Sequence, residues 1–247
     1  MKPVCLVNLG HYGDLINALP ICKHFADKGA AVSVVCRAEC ANLFDGVSYA
    51  RPVPICPPAG EAKVIMLHDG SGPVGARRTT NYDLESFARV GLLGRRDSLP
   101  IEFDRRDAVR EAALLQPYMT GSAPIMLVAT HGISSPFPRA AEFRARLDEM
   151  AAGWRMVILD GMTCTRIYDL LALLEKAALL VTIDTAVLHL AAVTKTPTIA
   201  LTSDLRDPWY RTAPRAFWLT DVPYAQVWAR LGDVRRAVDE AKGMVRP

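Results

Sequence analysis

The stretch from Leu179 to Ala192 leaves the chain few ways to fold. Leu179 to Ile183 (L-L-V-T-I) are apolar or β-branched and predict a buried strand. Asp184 and Thr185 then stand where a helix N-cap belongs, and Val187 to Val193 supply the apolar body of that helix. A helix start carries unpaired N–H groups and the positive end of the backbone dipole, so it suits an anionic ligand. His189 comes one turn after Thr185 and shares its face. Two readings fit: a capped helix with a partly buried histidine, or a phosphate site.

The rest of the chain repeats this strand-then-helix grammar twice over. Pro3–Leu9 reads as a first buried strand, followed by the loop Gly10-His11-Tyr12-Gly13-Asp14 and a helix from about Leu15 to Lys28. Pro20 inside that helix predicts a kink or a short first turn. Strands are expected at Ala31–Cys36, Val47–Val53 and Lys63–His68, with a short helix at Ala38–Phe44. Helices follow at Tyr82–Leu93 and Asp104–Gln116, and the segment 118–123 reads as a linker. In the second half, strands are expected at 125–130, 155–159, 179–183, 198–201 and 217–219, and helices at 139–151, 167–178 and 234–244. This alternation predicts an α/β protein with two Rossmann-like parallel sheets, one in residues 1–120 and one in 121–247. Ligands of such sheets bind beyond the carboxyl ends of the strands, where the 10–14 loop must lie.

Composition narrows the function. Of 247 residues, 51% are hydrophobic and 22% charged, enough for two ordinary cores. No apolar run reaches the length of a membrane span, and Asn8, His11 and Asp14 interrupt the N-terminal apolar run too early for a signal peptide. A cytoplasmic protein is expected. The six cysteines include no C-x-x-C pair and read as reduced, buried thiols. A net charge of +3 does not imply nucleic acid, although arginine pairs recur at 77–78, 95–96, 105–106 and 235–236. They read as solvated helix faces or as ground for an anionic acceptor.

The segment Asp184-Thr185-Ala186-x-x-His189-Leu190-Ala191-Ala192, followed by Thr196-Pro197-Thr198-Ile199-Ala200-Leu201, resembles the signature of glycosyltransferase family 9. That family holds ADP-heptose:lipopolysaccharide heptosyltransferases of the two-domain GT-B fold, with sheets facing a central cleft. The resemblance implies that Asp184, Thr185, Ala186 and His189 grip the diphosphate of a nucleotide-sugar donor. Ala186 replaces the usual glycine. Gly10-x-x-Gly13-Asp14 with Pro20 matches the family's N-terminal pattern, in which the aspartate is the general base. Asp14 is therefore the candidate base and Gly13 a point of close approach, while an isolated G-D would also fit a plain helix cap. The family's strand-end loop corresponds to Thr130, His131 and the residues up to Phe137-Pro138. Its phosphate-binding lysine is Ser135 here, so either Arg139 or His131 supplies that charge or the donor is held differently. The neighbourhood of Asp160, Gly161 and Met162 matches the family's base and ribose site, and would fit an ordinary turn as well. Asp207-Pro208-Trp209-Tyr210-Arg211-Thr212 resembles a segment of relatives that closes over the donor, or packs a domain interface.

The resemblance further implies inverting, metal-independent transfer, with no cofactor beyond the nucleotide sugar and a saccharide acceptor such as a lipopolysaccharide core sugar. Such an acceptor would bring peripheral membrane contact. Two alternatives stand beside it: a phage-type transferase acting on hydroxymethylated DNA bases, and a nucleotide-sugar binding module without turnover.

Overall fold

In the computed structural model the described residues are 2–58, 60–69, 82–132, 137–159, 164–202 and 218–244. They divide into two compact units, Met1–Asp107 with Arg166–Tyr168, and Ala108–Thr165 with Asp169–Pro247. Each is built on a parallel sheet flanked by helices, the α/β architecture expected from the sequence.

The first unit holds β1 (Val4–Asn8), β2 (Val32–Val35), β3 (Arg51–Val53) and β4 (Lys63–His68), in the spatial order β3-β2-β1-β4. All five residues of β1 are buried, as a central strand covered on both faces requires. Helix α1 (Tyr12–Asp27) starts three residues earlier than the sequence predicts and runs on through the buried Pro20. The early start follows from Asp14, which sits at the third helical position and folds back onto the His11 N–H. The expected strand 47–53 shortens to β3, an edge strand that tolerates Pro52. Residues 38–46 form a 3-10 helix.

Helix α2 (Tyr82–Arg89) stops short of Leu93 because Gly91 takes a positive φ of 72°. There the Leu92 N–H bonds the Phe87 carbonyl and the Gly91 N–H the Ala88 carbonyl, a Schellman closure. The buried-thiol expectation needs one correction. Cys5, Cys22 and Cys40 are buried, but Cys56 is exposed in the proline-rich run after β3. Burial pushes the Cys22 thiol up to about 12, which makes it a poor nucleophile.

The second unit holds β5 (Ile125–Ala129), β6 (Arg155–Ile158), β7 (Leu179–Ile183), β8 (Thr198–Thr202) and β9 (Trp218–Pro223), in the order β6-β5-β7-β8-β9. Strands β5, β7 and β8 are buried at every position. Around them lie α3 (Ala108–Leu115), α4 (Ala140–Met150), α5 (Leu171–Lys176), α6 (Ala186–Thr194) and α7 (Leu231–Met244). Phe143, Leu147 and Met150 of α4 and Val234, Ala237, Val238 and Ala241 of α7 pack into one core with Met126, Val181 and Ile199. Lys242 of α7 donates to the Met150 carbonyl at 2.8 Å, satisfying one of the last acceptors of α4.

Helix α3 groups with this second unit although the sequence reading places the boundary near 120. Arg110 binds the buried Asp169 at 3.1 Å, a contact no local pattern announces. The 118–123 segment is fastened as well: Arg155 of β6 donates to the Tyr118 carbonyl (2.8 Å), the Thr120 hydroxyl (2.9 Å) and the Thr120 carbonyl.

Candidate active site

Strand order locates the site in each unit. In the second, the chain passes from β5 to β6 on one side, then places β7 on the other side of β5. Helices on either side of such a reversal leave a gap at the carboxyl ends, and that switch point is where α/β sheets bind ligands. Here it lies between β5 and β7. Thr130, His131 and Gly132 leave the end of β5, and Asp184 and Thr185 leave the end of β7.

Thr130 is 1% exposed, whereas His131 is exposed. Thr185 is the N-cap of α6 with extended backbone (φ −139°, ψ 172°), but its side chain makes no capping bond. Its hydroxyl instead lies 3.4 Å from the Thr182 hydroxyl. The expected cap is thus a cap in position only, and the side chain leaves the first N–H groups of α6 to other partners. His189 turns back as the four-residue spacing requires: its Nε2 lies 3.7 Å from Asp184 Oδ1, with the two side chains 15% and 16% exposed. That is an ion-pair distance rather than a direct hydrogen bond. Ala186, the first residue of α6, is half-buried beside them.

Arg139 is committed elsewhere within the same unit. It enters α4 in the left-handed region (φ 59°), which a non-glycine residue adopts at a cost. Its guanidinium forks onto Glu142 (Nε–Oε2 2.7 Å, Nη2–Oε1 2.5 Å) and lies 4.0 Å over the Trp228 ring. Ser135, Asp160, Gly161, Met162 and the 207–212 segment lie outside the described residues.

In the first unit the reversal falls between β1 and β4. Asn8 closes β1 and staples the following loop: its Nδ2 donates to the Asp14 carbonyl (3.1 Å) and its Oδ1 accepts from the Gly10 N–H (3.1 Å). Arg37 Nε holds the Leu9 carbonyl at 2.6 Å. The half-buried Asp14 accepts the His11 N–H through Oδ2 at 2.9 Å. Among the described residues its other oxygen accepts no hydrogen bond, so capping the helix and taking a proton are compatible for this one carboxylate. Gly13 lies half-buried in the first turn of α1.

Gly10 stands where a side chain would not fit. A Cβ there would meet Asp14 Oδ2 at 2.4 Å. Sequence reasoning gave Asn8 and His68 no functional role, and gave Gly10 none beyond its place in the motif. His68 ends β4, is buried and pairs with Asn8 in the sheet register. Asn8 and His68 did carry a signal, each being a polar residue closing an apolar strand at its carboxyl end.

The fold belongs to a class: two units built on parallel sheets, like those of GT-B-type glycosyltransferase structures. The particular likeness is to one family: residues 127–214 match the model of glycosyltransferase family 9 (heptosyltransferase), which bears out the resemblance carried by the 184–192 motif. That segment contains Thr130, His131, Asp184, Thr185 and His189. A search of curated proteins finds no match.

Among solved structures, a glycosyl transferase family 9 protein from Veillonella parvula is similar with a TM-score of 0.63 and 15% identity, over 95% of this chain and 89% of that one. The E. coli ADP-heptose lps heptosyltransferase II gives 0.58 and 12%, over 98% and 100%. E. coli heptosyltransferase WaaC with ADP-2-deoxy-2-fluoro heptose gives 0.56 and 12%, over 97% and 99%. At such identities the likeness is one of fold.

Proposed function

We propose that this protein transfers a sugar from an ADP-heptose-like nucleotide-diphosphate donor to a saccharide hydroxyl, a lipopolysaccharide core sugar being the model acceptor. The observation that carries the proposal is the β7–α6 junction. It has a helix start without a side-chain cap, flanked by Asp184 and His189, at a topological switch point and inside the segment that matches the family. Two of the similar E. coli structures are described as holding ADP or an ADP-fluoroheptose.

In the proposed reaction the acceptor oxygen attacks the anomeric carbon from the face opposite the diphosphate, so the configuration inverts. Its proton passes to the open oxygen of Asp14, and the bond from the anomeric carbon to the phosphate oxygen breaks. The departing nucleoside diphosphate keeps that electron pair. Its growing charge is met by the N–H groups of α6 and by His189, positioned before the reaction begins. Asp184, Thr185 and His189 hold the diphosphate end, and Thr130 and His131 border it from β5. Asp160, Gly161 and Met162 are assigned to the nucleoside on resemblance alone, as is the absence of a metal from the mechanism. The first unit would receive the acceptor and the second the donor.

A second reading, a nucleotide-sugar binding module without turnover, draws support from Arg139. The cation nearest in sequence to the missing lysine is already engaged by Glu142 and Trp228.

Thermal denaturation against a nucleotide panel tests the donor site. ADP should raise the melting temperature selectively, a 100-fold excess over the dissociation constant being worth about 2.7 kcal/mol. Asp184→Ala should weaken that shift. Selective stabilisation by UDP or GDP would overturn the ADP assignment, and no shift with any nucleotide would overturn the donor site.

A further inference from the structure

Of the six cysteines, all among the described residues, only Cys56 is exposed, in the proline-rich run that follows β3. Strands β3 and β4 stand at opposite edges of a parallel sheet. The connection from Val53 to Lys63 must therefore return from the carboxyl end of β3 to the amino end of β4, past β2 and β1. Cys5, the second residue of β1, is paired in register with Ser33 of β2 and Val64 of β4, so the three share one face of the sheet. On that face Val64 is 46% exposed, whereas Cys5 is fully buried. Cys56 is part of what covers it. Its thiol lies within hydrogen-bonding reach of the Cys5 thiol, as does the Ser33 hydroxyl.

A buried thiol met by an exposed one divides the work of oxidation. Burial pushes the Cys5 thiol above its ordinary value, with the Ser33 hydroxyl pulling the other way and the Cys56 thiol raising it further. Cys5 therefore keeps its proton and is screened from solvent, and it is Cys56 that meets an oxidant first.

We infer that Cys5 and Cys56 form a redox-active pair, a modification site at which a peroxide joins β1 to the β3–β4 connection through a disulfide. The Cys56 sulfur attacks one peroxide oxygen, the O–O bond breaks, and the departing hydroxide leaves with the thiol proton as water. The Cys5 sulfur then attacks the Cys56 sulfenic acid, the S–O bond breaks, and a second water carries off the Cys5 proton. Two thiols are oxidised and one peroxide is reduced, and a thiol reductant reverses the bond. The covalent loop so closed holds β2, β3 and most of β1. The inference is independent of the donor site proposed above.

The experiment treats native wild type and Cys56→Ser with hydrogen peroxide, alkylates the remaining thiols and maps the peptides by mass spectrometry without reductant. Wild type should yield the Cys5 and Cys56 peptides joined, lighter by two hydrogen atoms and separated again by dithiothreitol. Cys56→Ser, altered at an exposed position, should fold and keep Cys5 as a thiol. The joined wild type should also melt above the reduced protein, because closing the loop restricts the unfolded chain. Cys56 that stays unmodified, stops at a sulfinic acid beside a free Cys5, or pairs with any other cysteine would overturn the inference. A joined form that melts no higher than the reduced one would overturn it as well, since the bond would then strain the native sheet.

Discussion

At the residue scale the loop after β1 shows how little material fixes a carboxylate. Asn8 holds the Asp14 backbone and the Gly10 N–H at once, and the His11 N–H holds one Asp14 oxygen. Gly10 makes room for all of it. Gly10→Ala drives a Cβ to 2.4 Å from Asp14 Oδ2 and 2.5 Å from its Cβ, both inside any tolerable contact. The loop must shift, and the strain is expected to cost about 1–3 kcal/mol of stability. Chemical denaturation checks this; an unchanged midpoint would show that the loop yields at no cost. The glycine was visible in the sequence, but its purpose was not, because the atom it avoids lies four residues on and arrives only once α1 has formed.

At the scale of elements, strands were more legible than helix ends. The bounds of β4 and β7 follow their apolar runs, Lys63–His68 and Leu179–Ile183. Strand β7 is buried at every position, and β4, an edge strand with Val64 and Met66 exposed, still carries an unbroken apolar run from Val64 to Leu67. The helix expected from Asp104 begins instead at Ala108. Asp104 is occupied, accepting the Ser48 N–H at 2.7 Å and the Ser48 hydroxyl besides. A partner 56 positions away leaves no local trace.

That tie also sets a pH dependence. Burial alone would raise the Asp104 carboxyl, but the hydrogen bonds from Ser48, with the nearby Arg105 charge, hold it below the ordinary carboxylate value. A depressed folded value means that the stabilisation is present above the unfolded value of about 3.9 and fades as the pH falls through the folded one. Asp104→Asn should therefore melt below wild type at pH 7, with the gap closing as the pH drops under about 4. A gap that stays constant with pH would show that the carboxylate charge contributes nothing there.

At the scale of the whole molecule, two parallel sheets each reverse strand order once, and each reversal falls beside a motif singled out in the sequence. The motif residues were legible because a strand-turn-helix junction concentrates its chemistry in five or six consecutive positions. The reversals were not, since strand order depends on which neighbours pair rather than on any local pattern. His68 stayed hidden for the same reason: it gains meaning only from the strand beside it. No helix among the described residues is long and apolar enough to cross a membrane. Buried Arg96, and Arg236 paired with Asp233, show that the arginine pairs do not all form one free basic surface.

The central claim is sugar transfer with Asp14 as the base, and release of ADP from ADP-heptose in the presence of a truncated lipopolysaccharide core acceptor tests it most directly. Asparagine keeps an oxygen for the His11 N–H, so Asp14→Asn should fold and bind ADP normally. Its acceptor-dependent turnover should fall by roughly 10²–10⁴-fold, the usual contribution of a general base. Turnover that survives in Asp14→Asn would contradict the assignment of the base. A wild-type protein that binds ADP-heptose but never turns it over would contradict the claim of transfer itself.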